Sequence, residues 1–396
     1  PEDPRFNYQR DVEFFNSENF VIPKIYFDYL GGFSKIYNSA IFSNIDLCMN
    51  IKNILNKRII YLPKVTILNF QDKTLFDLTD RNYLEEDKYI LKKVFGFESI
   101  QKKVAQSIYE NEIRKKVLVI DNCIPTPDMD SGSVDSYNQI IIFMNMGYHV
   151  TFVPIDNFSR NDPYASILED KGVELVYAPY TNSLNEFLIQ NIYTKFEFIF
   201  ISRPTYAHKA IKNIRTFFPK VKIIYNSVDL HFLRMYRESI IKKEICLKLK
   251  SYIMKRRELS IMHKVDASIV LSDVEYDLLK SVQSIFKIPF ARFINGGNIN
   301  FEDRRGIVFF GSFKHDPNID AVNYFINDIF PIILEKNKNI IFHIAGSYCP
   351  DEIKNINHKN IKVHGYVKNI DKFLNQFKLA VVPIRFGAGI KGKIAT

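Results

Sequence analysis

The residue types and spacing that suggest chemistry most directly lie at Val381-Val382-Pro383-Ile384-Arg385-Phe386-Gly387-Ala388-Gly389-Ile390-Lys391-Gly392-Lys393-Ile394 in a sequence of 396 residues. An apolar run leads into a glycine-rich turn, and the turn into what reads as the start of a helix. Gly387, Gly389 and Gly392 allow backbone N–H groups to approach an anion closely, and a helix N-terminus adds partial positive charge. Arg385, Lys391 and Lys393 place three cations around the same turn. That combination can hold a diphosphate. A plain tight turn between strand and helix has the same pattern, so the material upstream decides between the two.

Two further stretches carry candidate groups. Ser131-Gly132-Ser133 follows Pro125-Thr126-Pro127-Asp128, and its small residues let a second loop touch the same diphosphate. In Val228-Asp229-Leu230-His231-Phe232-Leu233-Arg234, His231 is the one titratable ring, and Asp229 is placed to orient it. Helix capping is the alternative role for His231.

The elements that must position these groups alternate between strand and helix. Val117–Asp121 is a continuous apolar strand of the kind buried on both faces. Further strands are expected at 148–154, 173–177, 196–202, 221–225 and 267–271, with helical stretches between them. A second series starts near Arg304, with strands at 306–310, 340–345, 361–363 and 379–383 and helices at 320–335 and 371–376. This alternation predicts doubly wound α/β units with ligands at the carboxyl ends of their strands. Residues 1–100 form a separate segment, 101–114 a linker, and 115–300 and 301–396 the two α/β units.

Hydrophobic content of 46% and charged content of 25% describe a globular chain, and the length allows two or three cores. The net charge of +10 includes the runs Lys242-Lys243, Lys255-Arg256-Arg257 and Arg304-Arg305. Such a surface is either simply solvated or attractive to phosphorylated substrates and anionic lipid headgroups. No nucleic-acid module is recognisable, and nucleic acid is not an expected partner. Four cysteines, at 48, 123, 246 and 349, lack metal-ligand spacing and a pairing pattern, which fits a reducing cytoplasmic compartment. No apolar run reaches a membrane-spanning length and no signal peptide is visible.

The second α/β unit resembles family 4 glycosyltransferases in four ordered blocks. These are Phe309-Phe310-Gly311-Ser312-Phe313-Lys314-His315-Asp316-Pro317-Asn318, Ile344-Ala345-Gly346-Ser347, Val363-His364-Gly365-Tyr366-Val367 and Pro383 through Ile394. Ser202-Arg203-Pro204, Asp229 through Arg234, and Leu271-Ser272-Asp273 with Glu275 extend the likeness over roughly residues 115–396. The resemblance implies a GT-B fold of two doubly wound Rossmann-like domains, the second incomplete. It also implies sugar transfer with retention from a UDP- or GDP-linked donor to a glycan or lipid-linked acceptor, with no essential metal or other cofactor. Members of this branch act in bacterial surface polysaccharide assembly, which implies a cytoplasmic enzyme with peripheral contact at the inner membrane.

The same resemblance assigns residues. Gly311, Ser312, His315, Arg385, Gly387, Gly389, Lys391 and Lys393 would bind the donor, Ser131, Gly132 and Ser133 would form the acceptor-side loop, and His231 with Asp229 would be catalytic. His231 would bond a sugar hydroxyl or the acceptor. The sequence departs from the family at Ser312-Phe313-Lys314-His315, where many members carry an Arg/Lys pair. A Glu pair that grips the donor sugar would begin about where the sequence ends, so the second unit reads as truncated.

Residues 10–95 resemble the C-terminal part of a family 2 glycosyltransferase of the GT-A type, through Leu30-Gly31-Gly32-Phe33, Asp46-Leu47-Cys48 and Ile60-Tyr61-Leu62-Pro63. Ser43-Asn44 stands where that family has an acidic pair, and Asn69 where it has a His. An amide neither takes a proton as a base nor binds a hard cation as a carboxylate does, so a degenerate remnant is expected. These departures motivate a second reading, a non-catalytic scaffold or glycan-binding subunit of a polysaccharide assembly complex; a third is a GT-B-fold sugar-nucleotide epimerase, which needs no acceptor.

Overall fold

The computed structural model describes residues 3–15, 19–65, 81–95, 115–290, 292, 297–390 and 392–394. The chain divides into two compact units: unit 1 is Pro1–Lys115 with Ser166–Leu175, and unit 2 is Lys116–Ala165 with Val176–Thr396.

In unit 1, β1 (Arg10–Asp11) pairs antiparallel with β2 (Ile60–Tyr61). The Arg10 guanidinium sits over the Tyr61 ring at 4.4 Å. Helix Ala40–Asn53 buries Ile45, Leu47, Cys48 and Ile51. Its start is fixed by Asp87, whose carboxylate accepts the N–H groups of Asn38 at 2.9 Å and Ser39 at 2.6 Å. Those N–H groups have no partner within the helix, so an acid brought from Arg81–Phe95 ties the two helices together. Ser43 and Asn44 are buried on this helix. Asp46 accepts from the Tyr37 hydroxyl and the Asn50 amide. Strand β5 (Glu174–Leu175) also belongs to this unit. Asn69 and the expected linker at 101–114 lie outside the described residues.

Unit 2 contains two parallel sheets. The first comprises β3 (Lys116–Asp121), β4 (His149–Pro154), β6 (Phe196–Ser202), β7 (Lys222–Asn226), β8 (Ala267–Val270) and β9 (Ile285–Lys287). Within the unit these run in the order β4-β3-β6-β7-β8-β9, every pair parallel. β3 reads as an unbroken apolar run from Val117 to Ile120 because both faces of a parallel sheet are covered, and Val117, Leu118, Val150 and Phe152 are fully buried. Each such side chain contributes about 1.5–3 kcal/mol by leaving water. β9 is the strand that periodicity does not reveal: it is a short edge, with Phe286 and Lys287 exposed.

The second sheet runs β12 (Ile361–Gly365), β11 (Phe342–Ala345), β10 (Ile307–Phe310), β13 (Leu379–Ala380), again parallel. Its core is rich in aromatic rings, with Phe325, Phe330 and Phe342 packed together at centroid distances of 4.5–5.9 Å. In both sheets the strand order reverses beside the first strand, between β3 and β6 and between β10 and β13. At such a reversal the loops leave in opposite directions and open a crevice at the strands' carboxyl ends. Every candidate site loop follows one of these strands or a near neighbour.

Candidate functional site

Between the carboxyl ends of the two sheets lies a cleft of about 830 Å³, lined from both sides. On the first-sheet side, the loop after β3 ends in helix Ser131–Asn145. Asp130 caps that helix by accepting the Ser133 N–H at 2.9 Å and the Ser133 hydroxyl at 2.8 Å. Ser133 is thereby engaged inside the cap, while Ser131 and Gly132 line the cleft. A Cβ on Gly132 would stand 3.1 Å from the Arg203 guanidinium, so glycine is what lets that cation lie against the loop. Arg203 follows β6 and holds Asp121 at 2.8 Å through Nε. Arg292 reaches the Ser131 hydroxyl at 2.6 Å and the Asp135 carboxylate at 3.1 Å. Burial pushes Asp135 up to about 7, against the pull of Arg292.

After β7 the chain turns through Val228, at φ +63°, into helix His231–Lys242. His231 Nε2 stands 3.2 Å from Asp229 and Arg234 stands 3.5 Å from the other carboxylate oxygen. Burial opposes the Asp229 charge, but the His231 hydrogen bond and the charge of Arg234 outweigh it and bring this carboxyl down to about 2. Asp229 is therefore an anion that orients His231, and both line the cleft. The helix carrying His231 is fixed from below by a buried acid. Glu258 accepts the N–H groups of His231 at 3.0 Å and Phe232 at 2.9 Å. Burial pushes Glu258 up to about 8, although those N–H bonds pull it down.

On the second-sheet side, the loop after β10 places Gly311, Ser312 and His315 on the cleft. Burial, with the charge of Arg234, keeps the His315 ring below its ordinary pKa, so it is neutral near pH 7. The glycine-rich stretch leads into a short turn of 3₁₀ helix at Gly392–Ile394. Lys393 Nζ bonds the Asn318 side-chain oxygen at 2.8 Å, and Asn318 in turn bonds the Ser312 carbonyl at 2.6 Å. A Cβ on Gly311 would fall 2.8 Å from Lys393 Nζ, so this glycine makes room for the ammonium group. Gly389 has φ +68° and lies directly on the Val228–Asp229 turn, where a Cβ would meet the Val228 carbonyl at 3.3 Å.

The two sides are linked through this stretch. Glu275 accepts with one carboxylate oxygen from the N–H groups of Leu230 at 3.1 Å and Gly389 at 2.8 Å. Arg237 donates to the Gly387 carbonyl at 2.6 Å, and Ala388 is buried within the first sheet's core. Ser347 and Tyr366 reach across to Met129 and Asp128, both at 2.7 Å. The turn holding His231 and the loop holding Lys393 are thus kept in one register.

Of the residues singled out from the sequence, Ser131, Gly132, Asp229, His231, Gly311, Ser312, His315, Gly387 and Lys393 line one cleft. Lys391 lies outside the described residues. Arg385 is placed elsewhere, a correction to its expected donor-binding position. Its guanidinium makes a two-point ion pair with Asp320, lies 4.9 Å from the Tyr324 ring, and does not line the cleft. Proximity in sequence to the glycines misplaced it, because its side chain turns back to Asp320 on helix Asp316–Tyr324. Sequence reading missed Glu258, Arg237 and Arg292, whose partners are at least 26 residues away. For the bridging role of Glu275 a faint signal exists: Ser272-Asp273-Val274-Glu275 has capping-box spacing, and Ser272 does cap this helix. Among the described residues, no group of three or more His, Cys, Asp or Glu side chains is placed to hold a metal ion.

Residues 304–396 match the family described as group 1 glycosyl transferases. A comparison with curated proteins returned no match. Among solved structures, the fold is similar to that of TarM, with a TM-score of 0.50 and 10% identity over 67% of this chain and 79% of that one. Similarity extends to sucrose-phosphate synthase from Thermosynechococcus elongatus (TM-score 0.48, 13% identity, 70% and 77% of the two chains). It extends also to WaaG, a glycosyltransferase involved in lipopolysaccharide biosynthesis (0.43, 12%, 67% and 74%). At these identities the likeness to solved structures is one of fold, and the fold is GT-B. The match over residues 304–396 marks that stretch as a glycosyltransferase domain.

Proposed function

We propose that unit 2 transfers a sugar, with retention, from a UDP- or GDP-linked donor to a glycan or lipid-linked acceptor in bacterial surface polysaccharide synthesis. The observation that carries this reading is the meeting, in one cleft, of the Asp229–His231 turn with the Lys393 ammonium and the glycine-rich loop. Departure of a nucleoside diphosphate builds negative charge on its phosphate oxygens. A cation and N–H donors already in place stabilise that charge without reorganising, which is where an enzyme gains most. Lys393 fills this role, with the Ser131–Gly132 loop and Arg203 facing it. On the other side, His231 is fixed as a hydrogen-bond partner for a sugar or acceptor hydroxyl, since Nε2 is held by Asp229 and the helix start by Glu258. The charge demand of the leaving group is met by these residues without a metal ion in the proposed reaction.

Unit 1 is proposed to be a GT-A remnant without activity of its own. Ser43 and Asn44 are buried where that family carries acids, and Asp46 is occupied by Tyr37 and Asn50 rather than presented to a metal.

The test is turnover. Unit 2 with its natural flanking sequence, supplied with UDP- and GDP-sugars and a lipid-linked glycan acceptor, is expected to release nucleotide and extend the acceptor with retained anomeric configuration. Tight nucleotide binding with no transfer to any acceptor would favour the scaffold reading. Free sugar released without an acceptor would favour the epimerase.

A further inference from the structure

We infer that helix Ile245–Met262, with the end of the helix before it, is a docking surface for an anionic lipid bilayer. The inference rests on the arrangement of side chains around this helix. Ser251, Glu258, Ile261 and Met262 are buried and define the face turned to the protein. At 3.6 residues per turn, the opposite face is centred on Ile245, Leu249, Tyr252 and Arg256, with Ile253 beside them. A helix packed against a core normally shows water a polar centre there. Here four of these five side chains are aliphatic or aromatic, Arg256 being the exception: Ile245 is 78% exposed, Leu249 60%, Ile253 64% and Tyr252 52%. Ile240 and Ile241, at the end of helix His231–Lys242, are also exposed and extend the patch across the turn at Lys243.

Cations flank the stripe. Lys248 and Lys255 stand on one side, Lys250 and Arg257 on the other, all exposed, and no acid occurs between residues 245 and 257. The one acid of the helix, Glu258, points inward onto the His231 and Phe232 N–H groups. An apolar stripe that enters the acyl boundary, edged by long cationic side chains that rise to headgroup phosphates, is the pattern of a helix lying in a membrane interface. The balance of residue types favours this partner over a protein, because lysine is depleted at protein interfaces and five of the seven cations from Lys242 to Arg257 are lysines. Nucleic acid would leave the aliphatic stripe without a counterpart. Among the described residues no helix is long and apolar enough to cross a membrane, so the helix lies on the bilayer rather than through it.

The docking surface and the proposed site share their supports. The helix that lies on the bilayer supplies Glu258, which holds the start of the helix bearing His231. If unit 2 is a transferase, a fixed orientation at the membrane brings a lipid-linked acceptor to that turn; only this consequence depends on the functional reading.

Sedimentation of the whole chain with vesicles tests the surface independently of any nucleotide. Vesicles of an equimolar mixture of phosphatidylcholine and phosphatidylglycerol are expected to pull the protein down, and vesicles of phosphatidylcholine alone to do so much less. The double variant Leu249→Glu/Ile253→Glu is expected to lose more than about tenfold in vesicle affinity while nucleotide binding is unchanged. Lys248→Gln and Lys250→Gln, which leave the apolar stripe intact, are expected to cost about fivefold each at low salt. Circular dichroism confirms that the variants are folded. Equal sedimentation with both vesicle types, or a glutamate variant that binds as the parent does, overturns the proposal. So does a wild-type dimer in ultracentrifugation that the glutamate variant dissolves, since the patch would then cover a second copy. Loss of nucleotide binding with vesicle binding intact would instead count against the transferase reading alone.

Discussion

The two sides of the cleft present charge in different ways. The second-sheet side is mostly backbone: glycines at 311 and 387, with one ammonium, Lys393, held over Gly311 by Asn318. The first-sheet side is built from charged side chains that lock one another, Asp121 with Arg203, Asp135 with Arg292, and Asp229 with His231 and Arg234. A backbone loop with a single cation can accept a leaving diphosphate of any nucleotide sugar. Interlocked side chains fix the direction of particular hydrogen bonds, which suits the recognition of hydroxyl groups. The comparison separates binding of the charged leaving group from orientation of the sugar and acceptor.

Substitutions on the two sides should therefore fail differently. The largest loss is expected for His231→Ala, which removes the positioned ring: turnover should fall by about 10²–10⁴-fold while nucleotide affinity stays near that of the parent. Steady-state kinetics beside a binding titration separate the two effects, and a parallel loss of nucleotide affinity would place His231 on the leaving group instead.

Glu258 sharpens the comparison through pH. A carboxyl with a higher pKa in the folded than in the unfolded chain holds its proton more tightly when folded. Its contribution to stability is complete below the ordinary value of 4.5 and is lost as the pH rises through about 8. Denaturant unfolding between pH 5 and pH 9 should show that decline together with the one from Asp135, raised to about 7, and Glu258→Gln should make the slope shallower, most of all above pH 7. A slope unchanged in Glu258→Gln assigns the titration to Asp135 or another group.

The smallest effect is expected for Arg385→Ala. Its ion pair with Asp320 is partly exposed, so stability should change by no more than about 1 kcal/mol, and nucleotide affinity should stay within about twofold because the side chain does not face the cleft. A tenfold loss of affinity would return Arg385 to the donor site.

What could be read from the sequence follows the same division. The glycine-rich loop and the Gly311 loop were legible because their signal is local: glycine spacing, a preceding apolar strand, a cation within a few residues. The parallel strands were legible because burial on both faces leaves unbroken apolar runs such as Val117–Ile120. The first-sheet side was less so. Glu258 stands within a basic helix, and its partners lie 26 and 27 residues upstream. Arg385 shows the converse, a residue beside the right motif whose partner, 65 residues away, turns it elsewhere. Helix Ile245–Met262 hid its nature because its buried face includes Ser251 and Glu258 while its exposed face carries Ile245, Leu249 and Ile253, which leaves no single apolar period to find.

The central claim is that the glycine-rich loop and Lys393 hold the diphosphate of a nucleotide-linked sugar, and calorimetric titration with UDP and GDP tests it most directly. The account predicts micromolar binding of one of them without added metal, weakened about 100-fold in Lys393→Ala, as expected for loss of a charge-assisted contact at a developing anion. Binding of neither nucleotide to the folded parent, or equal affinity in Lys393→Ala, would contradict it.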